Sequence, residues 1–379
     1  MILGIDASNI RAGGGITHLS HILQAADPRA EGFTKVIVWA SRYTIERMPK
    51  QRPWLSFMHE PLLDKSLAHR LHWQRTKLPL IAQNSCHLVF FPGSRGLDNC
   101  LPYVTLSQNM LPFEYHEAMR YGLSWTLVRL LMLRFSQGRA FRNANGLIFL
   151  SSYACSEITR KAGILKGEKT IIPHGIEERF FRSPRPQKLL SHCSQENPFR
   201  LLYVSVVDVY KHQWLVARAV ADLRKQGFPV ELEFVGPAYP PALRRLEKTI
   251  RTLDPEGRFL HYRGPTPYEK LHLHYHKSDL FLFASTCENL PNIVLEAMAS
   301  GLPIACSNRG PMPEILGDGG LYFDPQNVEE MTVSLAKLLE QADLREKLAN
   351  RTYARAQAYT WERCANETYD FLAKVALDS

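Results

Sequence analysis

The chain has 379 residues, 45% of them hydrophobic, and a formal net charge of +9. That length and composition fit two domains of ordinary size, each with its own core, and no apolar run approaches the ~20 residues of a membrane-spanning helix. The excess charge is confined to one half: residues 1–180 hold 22 Lys and Arg against 13 Asp and Glu, whereas residues 181–379 hold 24 of each. Such asymmetry points to a polyanion or an anionic membrane as partner of the first half. Nucleic acid is the weaker choice, because no recognised binding module accompanies the charge.

The start, Met1-Ile-Leu-Gly-Ile-Asp6, reads as a strand and not as a signal peptide, since a basic region and a cleavage site are missing. Short apolar runs at 3–7, 35–39, 87–91, 103–106 and 146–150 alternate with helical stretches. The first run turns into Arg11-Ala-Gly-Gly-Gly-Ile-Thr-His18. Gly13, Gly14 and Gly15 between a strand and a helix let backbone approach a ligand closely, although a plain tight turn explains them equally well. The loop is not the G-x-G-x-x-G dinucleotide fingerprint, and no acidic ribose partner follows about twenty residues on. Residues 115–145 carry Arg120, Arg129, Arg134, Arg139 and Arg142 against the single acid Glu117, with Trp125, Met132 and Phe135 among them. This stretch is either a basic interfacial helix or a core-facing helix with a solvated arginine side. Residues 181–199 are polar and proline-bearing, a candidate linker.

A second alternating series occupies 201–207, 230–235, 259–262, 280–284 and 303–306, and a helical tail runs from Val328 to a final helix beginning at Trp361. Two βα series predict two doubly wound α/β domains, 1–180 and 200–355, with a C-terminal helix at about 361–379 returning to the first. Lys211 stands where a strand enters a helix, a place the helix dipole disfavours for a cation unless an anion is near. His261, His272, His274 and His276 alternate with Leu and Tyr and read as the solvated face of a helix. The seven cysteines (86, 100, 155, 193, 287, 306, 364) show no C-x-x-C spacing, and an odd count fits a reducing compartment. Cys287 reads as a strand-end filler, with no His or Lys neighbour to lower its pKa. There is no D-x-D and no His/Asp/Glu cluster with ligand spacing, so no metal site is expected.

The most informative stretch is Phe283-Ala-Ser-Thr-Cys-Glu-Asn-Leu-Pro-Asn-Ile-Val-Leu-Glu-Ala-Met-Ala-Ser-Gly301. A buried strand passes through a polar loop into a helix starting near Ile293, with Glu288 in the loop and Glu296 in the first turns of the helix. Eight helical residues would set the pair about 80° apart, so they do not share a face. They frame a helix N-terminus, whose amides and dipole favour a phosphate, and ionised carboxylates are good acceptors for sugar hydroxyls. The plainer alternative makes Glu296 a helix-dipole partner and Glu288 a solvated loop residue.

This segment resembles the E-x7-E element of the large retaining glycosyltransferase family 4, usually written E-G-F-G-x-x-x-x-E-A-M-A-x-G. Leu302-Pro-Ile-Ala305 and Gly310-Pro-Met-Pro-Glu-Ile315 are similar to the motifs that follow it in the family. Both glycines of E-G-F-G are replaced, by Asn289 and Pro291. Leu201 to Gln213 resembles the V-G-R-x-x-x-x-K-G segment, in which an Arg and a Lys clamp the leaving diphosphate; Lys211 matches, while the Arg position falls on Val206. Arg309 and Arg263 are candidate substitutes. Ile171-Ile-Pro-His-Gly-Ile176 is similar to the family's I-P-N-G-V, with His174 a structural residue there or a sugar contact. Where relatives carry a His near the reacting sugar, Ser107, Gln108 and Asn109 stand here, and Gln108 and Asn109 are the candidate replacements.

The resemblance implies a GT-B fold, two Rossmann-like domains facing across a cleft. It also implies transfer of a hexose from a nucleotide-sugar to a glycan hydroxyl with retention and without a metal or other cofactor. Glu288 would position the donor sugar, Glu296 would hold the ribose and Lys211 would neutralise the diphosphate. Backbone around Asn289, Leu290, Pro291, Asn292 and Ile293 and the loop Gly13, Gly14, Gly15 would hold the phosphates. The subgroup resembled builds bacterial surface polysaccharides such as lipopolysaccharide O-antigen or capsule, with GDP-mannose the expected donor. A lipid-linked or oligosaccharide acceptor and a peripheral position on the cytoplasmic face of the inner membrane go with it. A nucleotide-sugar epimerase on the same fold and a catalytically inactive nucleotide-sugar-binding scaffold are the rival readings.

Overall fold

The computed structural model describes residues 1–11, 13–49, 52–97 and 101–379, so Cys100 lies outside the described residues. The chain divides into two compact units: residues 1–115, 123–175 and 360–379 form the first, and residues 116–122 and 176–359 the second.

The first unit is built on a seven-stranded parallel sheet: β1 (Ile2–Asp6), β2 (Lys35–Ala40), β3 (Leu55–His59), β4 (Leu88–Phe91), β5 (Tyr103–Leu106), β6 (Gly146–Phe149) and β7 (Glu168–Ile171). The order is β3-β2-β1-β4-β5-β6-β7. In the central strands β4, β5 and β6 every residue is buried, as expected of parallel strands covered by helices on both faces. Helix α1 (Gly14–Ala25) follows β1 and buries Leu19, Ile22 and Leu23. Helix α2 (Trp125–Asn143) precedes β6; Ser124 caps it by accepting the Leu127 N–H at 3.3 Å. The stretch 115–145 is therefore two helices, a short Tyr115–Met119 and α2. The C-terminal helix, Trp361–Asp378, packs along α1, and its start explains a glycine. A Cβ at Gly175 would lie 2.2 Å from the Trp361 backbone nitrogen, so the Pro-His-Gly turn accepts no larger residue.

The second unit carries a six-stranded parallel sheet in the order β10-β9-β8-β11-β12-β13. Its strands are β8 (Phe199–Val204), β9 (Val230–Val235), β10 (Leu260–Tyr262), β11 (Leu280–Phe283), β12 (Ile304–Ser307) and β13 (Gly320–Phe323). The register is regular, for example Phe281 opposite Ile304 and Leu202 opposite Glu233. Helix α3 (Gln213–Lys225) follows β8, α4 (Tyr268–Lys277) follows β10 and α5 (Asn292–Ala299) follows β11.

Residues 181–199, expected as a linker, lie inside the second unit, and Phe199 already belongs to β8. The stretch is tied into that unit by arginine-to-carbonyl bonds: Arg185 donates to His276 O at 3.1 Å, and the fully buried Arg345 reaches Leu339 O at 2.7 Å and the Lys188 carbonyl. His261 lies on β10 and not on the helix of His272, His274 and His276. Those helix histidines are engaged: His274 bonds Thr266 at 3.1 Å and His276 bonds the Phe180 carbonyl at 3.4 Å.

Both sheets reverse their winding once, between β1 and β4 in the first unit and between β8 and β11 in the second. In doubly wound sheets the crevice outside the carboxyl ends of the strands at such a switch point is where ligands bind. The glycine loop follows β1, and Lys211 and Glu288 follow β8 and β11.

Candidate active site

In the second unit the chain leaves β8 and crosses to α3 through residues 205–212. The Lys211 N–H closes a turn onto Asp208 O at 3.1 Å. Tyr203, buried in β8, ties this turn to the end of β11. Its hydroxyl accepts the Ala284 N–H at 3.1 Å and donates to Lys211 O at 2.5 Å. So placed, the Lys211 ammonium forms an ion pair with Glu288 Oε1. It also lies 4.9 Å from the Phe283 ring centroid and 5.1 Å from that of Tyr210. Both ionic side chains are largely buried, 5% and 13% exposed, so each is the other's counterion.

His212 sits between Lys211 and α3 with φ 52° and ψ 27°, left-handed values that cost a non-glycine residue about 1–2 kcal/mol. A hydrogen-bond chain holds it there. Thr286 Oγ1 donates to Glu117 Oε2 at 2.6 Å; because that uses its one proton, His212 Nε2 at 3.1 Å is assigned as donor to Thr286. Burial, with the charges of Arg120 and Arg245 nearby, pushes the His212 imidazole down to about 4, so the ring is neutral at neutral pH. Glu117 also binds Arg120 at 2.7 Å, and Tyr121 donates to Asp208 Oδ1 at 2.9 Å. Segment 116–122 thus braces both loops that carry Lys211 and Glu288.

Glu296, on α5, is 4% exposed. Its Oε1 accepts the Tyr268 hydroxyl at 3.1 Å and its Oε2 the Tyr275 hydroxyl at 2.8 Å, both from α4. Burial raises its carboxyl to about 8, against the two tyrosine hydrogen bonds that favour the ion. Asn289 and Pro291 are buried, while Leu290, Asn292 and Ile293 are half-buried. No side chain caps α5 at Pro291. Cys287 is buried at the end of the strand loop.

Neither proposed substitute for the arginine missing at Val206 is free. Arg309 pairs with Asp324 at 3.0 Å and Arg263 with Glu233 at 2.8 Å. Arg120 is instead the cation carried toward this turn, through Glu117 and Thr286. The sequence leaves Arg120 on either an interfacial or a core-facing helix; it stands just beyond the short helix Tyr115–Met119.

In the first unit, Gly13 (φ 62°) begins α1 without a side-chain cap, and a Cβ there would meet nothing within 4 Å. A Cβ at Gly15 would lie 3.5 Å from Gln108 Oε1, so the glycine loop and Gln108 are neighbours. Asn109 is exposed and accepts the Leu111 N–H at 3.0 Å. His174 is buried, 4.7 Å from His18 and 5.6 Å from Trp361 between ring centroids, and His21 stacks on Trp361 at 4.4 Å. It forms part of the aromatic joint between α1 and the C-terminal helix. Among the described residues no three His, Cys, Asp or Glu side chains converge as a metal-ligand set.

Two Rossmann-like units of this construction are the fold of the GT-B glycosyltransferases. The chain superposes over its whole length on sucrose-phosphate synthase from Thermosynechococcus elongatus, covering all of that chain at a TM-score of 0.75 and 17% identity. It superposes over 99% of its length on all of Anabaena HepE in complex with UDP and glucose, at 0.71 and 18%. Residues 187–355 match the family described as glycosyl transferases group 1. Over 110 residues, 29% of each protein, it is 34% identical to the O-antigen chain mannosyltransferase B of Escherichia coli. The chain spans 29% to 54% of the length of the first curated relatives it matches.

Proposed function

We propose that the protein is a retaining, metal-independent glycosyltransferase that moves a hexose from a nucleotide-sugar to a glycan hydroxyl. The observation that carries the reading is the buried Lys211–Glu288 pair at the switch point between β8 and β11, beside the start of α5. A nearly dry ammonium is a strong electrostatic partner for a diphosphate. On donor binding the diphosphate takes over Lys211, and Glu288 is released to accept hydroxyls of the transferred sugar. Amides from Leu290 to Ile293 hold phosphate oxygens, and Glu296 accepts ribose hydroxyls. The bond between the anomeric carbon and the phosphate oxygen breaks, and the acceptor oxygen bonds that carbon from the same face. The departing phosphate oxygen takes the acceptor proton, and Lys211 stabilises the charge developing on it.

A mannose donor is the first to try, because the E. coli relative is named a mannosyltransferase of O-antigen chains. UDP-glucose is the second, because UDP and glucose occupy the HepE structure. We assign the acceptor to a lipid-linked or oligosaccharide glycan of the cell surface, and the enzyme to the cytoplasmic face of the inner membrane. The test is thermal stabilisation by a panel of GDP-, UDP-, ADP- and TDP-sugars with chelator present, followed by transfer to a lipid-linked glycan and NMR of the product's anomeric configuration. One donor that shifts the melting temperature and yields a product of retained configuration supports the reading. Isomerised donor without transfer points to an epimerase; donor binding without any turnover points to an inactive scaffold.

A further inference from the structure

We infer that α2 docks the first unit on an anionic phospholipid surface, its exposed apolar crest entering the interface and an arginine-lined cavity at its side receiving lipid phosphate. An amphipathic helix needs one apolar face to join a core, and α2 already has it: Leu127, Leu130, Ala140 and Phe141 are buried. A second apolar face points outward. Trp125 is 73% exposed, Phe135 71% and Met132 54%, with Val128 between them, and Leu123 just ahead of the helix is fully exposed. Positions 125, 128, 132 and 135 recur at helical spacing, so these side chains form one continuous crest. Folding of the unit does not account for it, and contiguous exposed apolar surface of this kind marks an interaction site.

Charge identifies the partner. Helix α2 carries Arg129, Arg134, Arg139 and Arg142 and no acidic residue. Beside the crest lies a cavity of about 350 Å³ lined by Arg75, Arg95 and Arg139 together with Gln74, Ser136 and Phe135. Phe135 therefore belongs to the crest and to the wall of the cationic cavity. Among the described residues the acid acting on Arg95 is Asp6, which is buried and accepts hydrogen bonds from Ser8 N at 3.0 Å and from Gln74. An aromatic-aliphatic crest flanked by arginines is the pattern of a helix lying in the plane of a bilayer, its rings at headgroup depth and its guanidiniums on phosphates. Among the described residues no helix is long and apolar enough to cross a membrane, so docking would be peripheral.

This deepens the peripheral location proposed above, but its test reads lipid binding alone. The full chain is floated with vesicles of phosphatidylcholine and with vesicles that also contain phosphatidylglycerol, at low and high salt. The expected result is co-flotation with the anionic vesicles that weakens with salt. Trp125→Ala/Phe135→Ala lowers the bound fraction about tenfold or more, and Arg75→Gln/Arg139→Gln abolishes the preference for anionic lipid. Both variants are accepted only if they keep the wild-type melting temperature and donor-induced shift. A wild-type protein that stays at the bottom of the anionic gradient overturns the inference, as do folded variants that float as the wild type does. A wild-type dimer that Trp125→Ala/Phe135→Ala converts to a monomer shows that the crest is a self-interface, which also overturns it. Flotation without any donor shift, conversely, counts against the transfer reaction and leaves docking standing.

Discussion

The two units share one parallel, doubly wound plan, yet their switch points are furnished differently. In the second, ionisable groups are pulled inside: Lys211 against Glu288, and Glu296 between two tyrosines. In the first, the one carboxyl pulled inside at the end of β1, Asp6, is held by Ser8 and Gln74 and has no ion pair among the described residues. The loop that follows is glycine with the amide Gln108 as its neighbour, and arginines lie around α2. The difference teaches that sheet topology chooses where a site forms, whereas the side chains brought there decide which unit handles charge.

The largest expected effect breaks that contrast at its centre. Lys211→Ala removes the charge facing the leaving group and should lower kcat about a hundredfold or more, with a smaller change in KM. It also strands a buried carboxylate, so the second unit should lose about 3–5 kcal/mol, read as a lower melting temperature. Lys211→Ala/Glu288→Ala should recover much of that stability and none of the activity. An unchanged kcat in Lys211→Ala would remove the lysine from the mechanism.

Glu296→Ala comes next and should raise donor KM about tenfold while kcat changes less; unaltered donor binding would show that the carboxyl only anchors Tyr268 and Tyr275. The pH dependence sharpens the comparison because Glu296 in the second unit and His18 in the first carry opposite signs. Glu296, raised to about 8, favours the folded second unit most below the ordinary carboxyl range, and that contribution is lost as pH rises toward 8. His18, buried and pushed well below the usual imidazole value, acts oppositely in the first unit. Its unfolded form gains a proton that the folded form refuses, so stability holds above about pH 6.5 and falls as pH drops below it. Calorimetry across pH should show Glu296→Gln flattening the alkaline loss and His18→Phe the acid loss; a mutant that flattens the other side refutes the assignment. The smallest effect is Ser124→Ala, which removes the α2 cap and should cost about 1 kcal/mol in the first unit, measurable by denaturant titration.

Much of this architecture was legible in the sequence, and the missed strands have one cause. The read strands are mostly central ones whose residues are buried on both faces, so their apolar runs are continuous. β3, β7 and β13 were missed, and all three are edge strands: β7 is Glu-Lys-Thr-Ile, and β3 and β13 are mostly half-exposed. The polar stretch 181–199 reads as a linker because its arginines satisfy carbonyls at the end of one distant helix, which no local pattern reveals. Glu288, Glu296 and Lys211 were legible because each sits at a strand-to-helix crossing. Their partners were not: Tyr275 is 21 residues from Glu296 and Glu117 is 169 from Thr286. A local signal for Glu117 did exist, as the lone acid in a run of arginines. The seven-residue spacing of Tyr268 and Tyr275 on one helix could likewise have marked a shared target.

The central claim is that the switch point between β8 and β11 holds the diphosphate of a sugar donor through Lys211. Calorimetric titration of the donor panel into the wild type and Lys211→Ala, without metal, tests it most directly. The account predicts that at least one nucleotide-sugar binds the wild type and binds the variant about tenfold or more weakly. Equal affinity for both proteins, or no binding of any donor to the wild type, would contradict it.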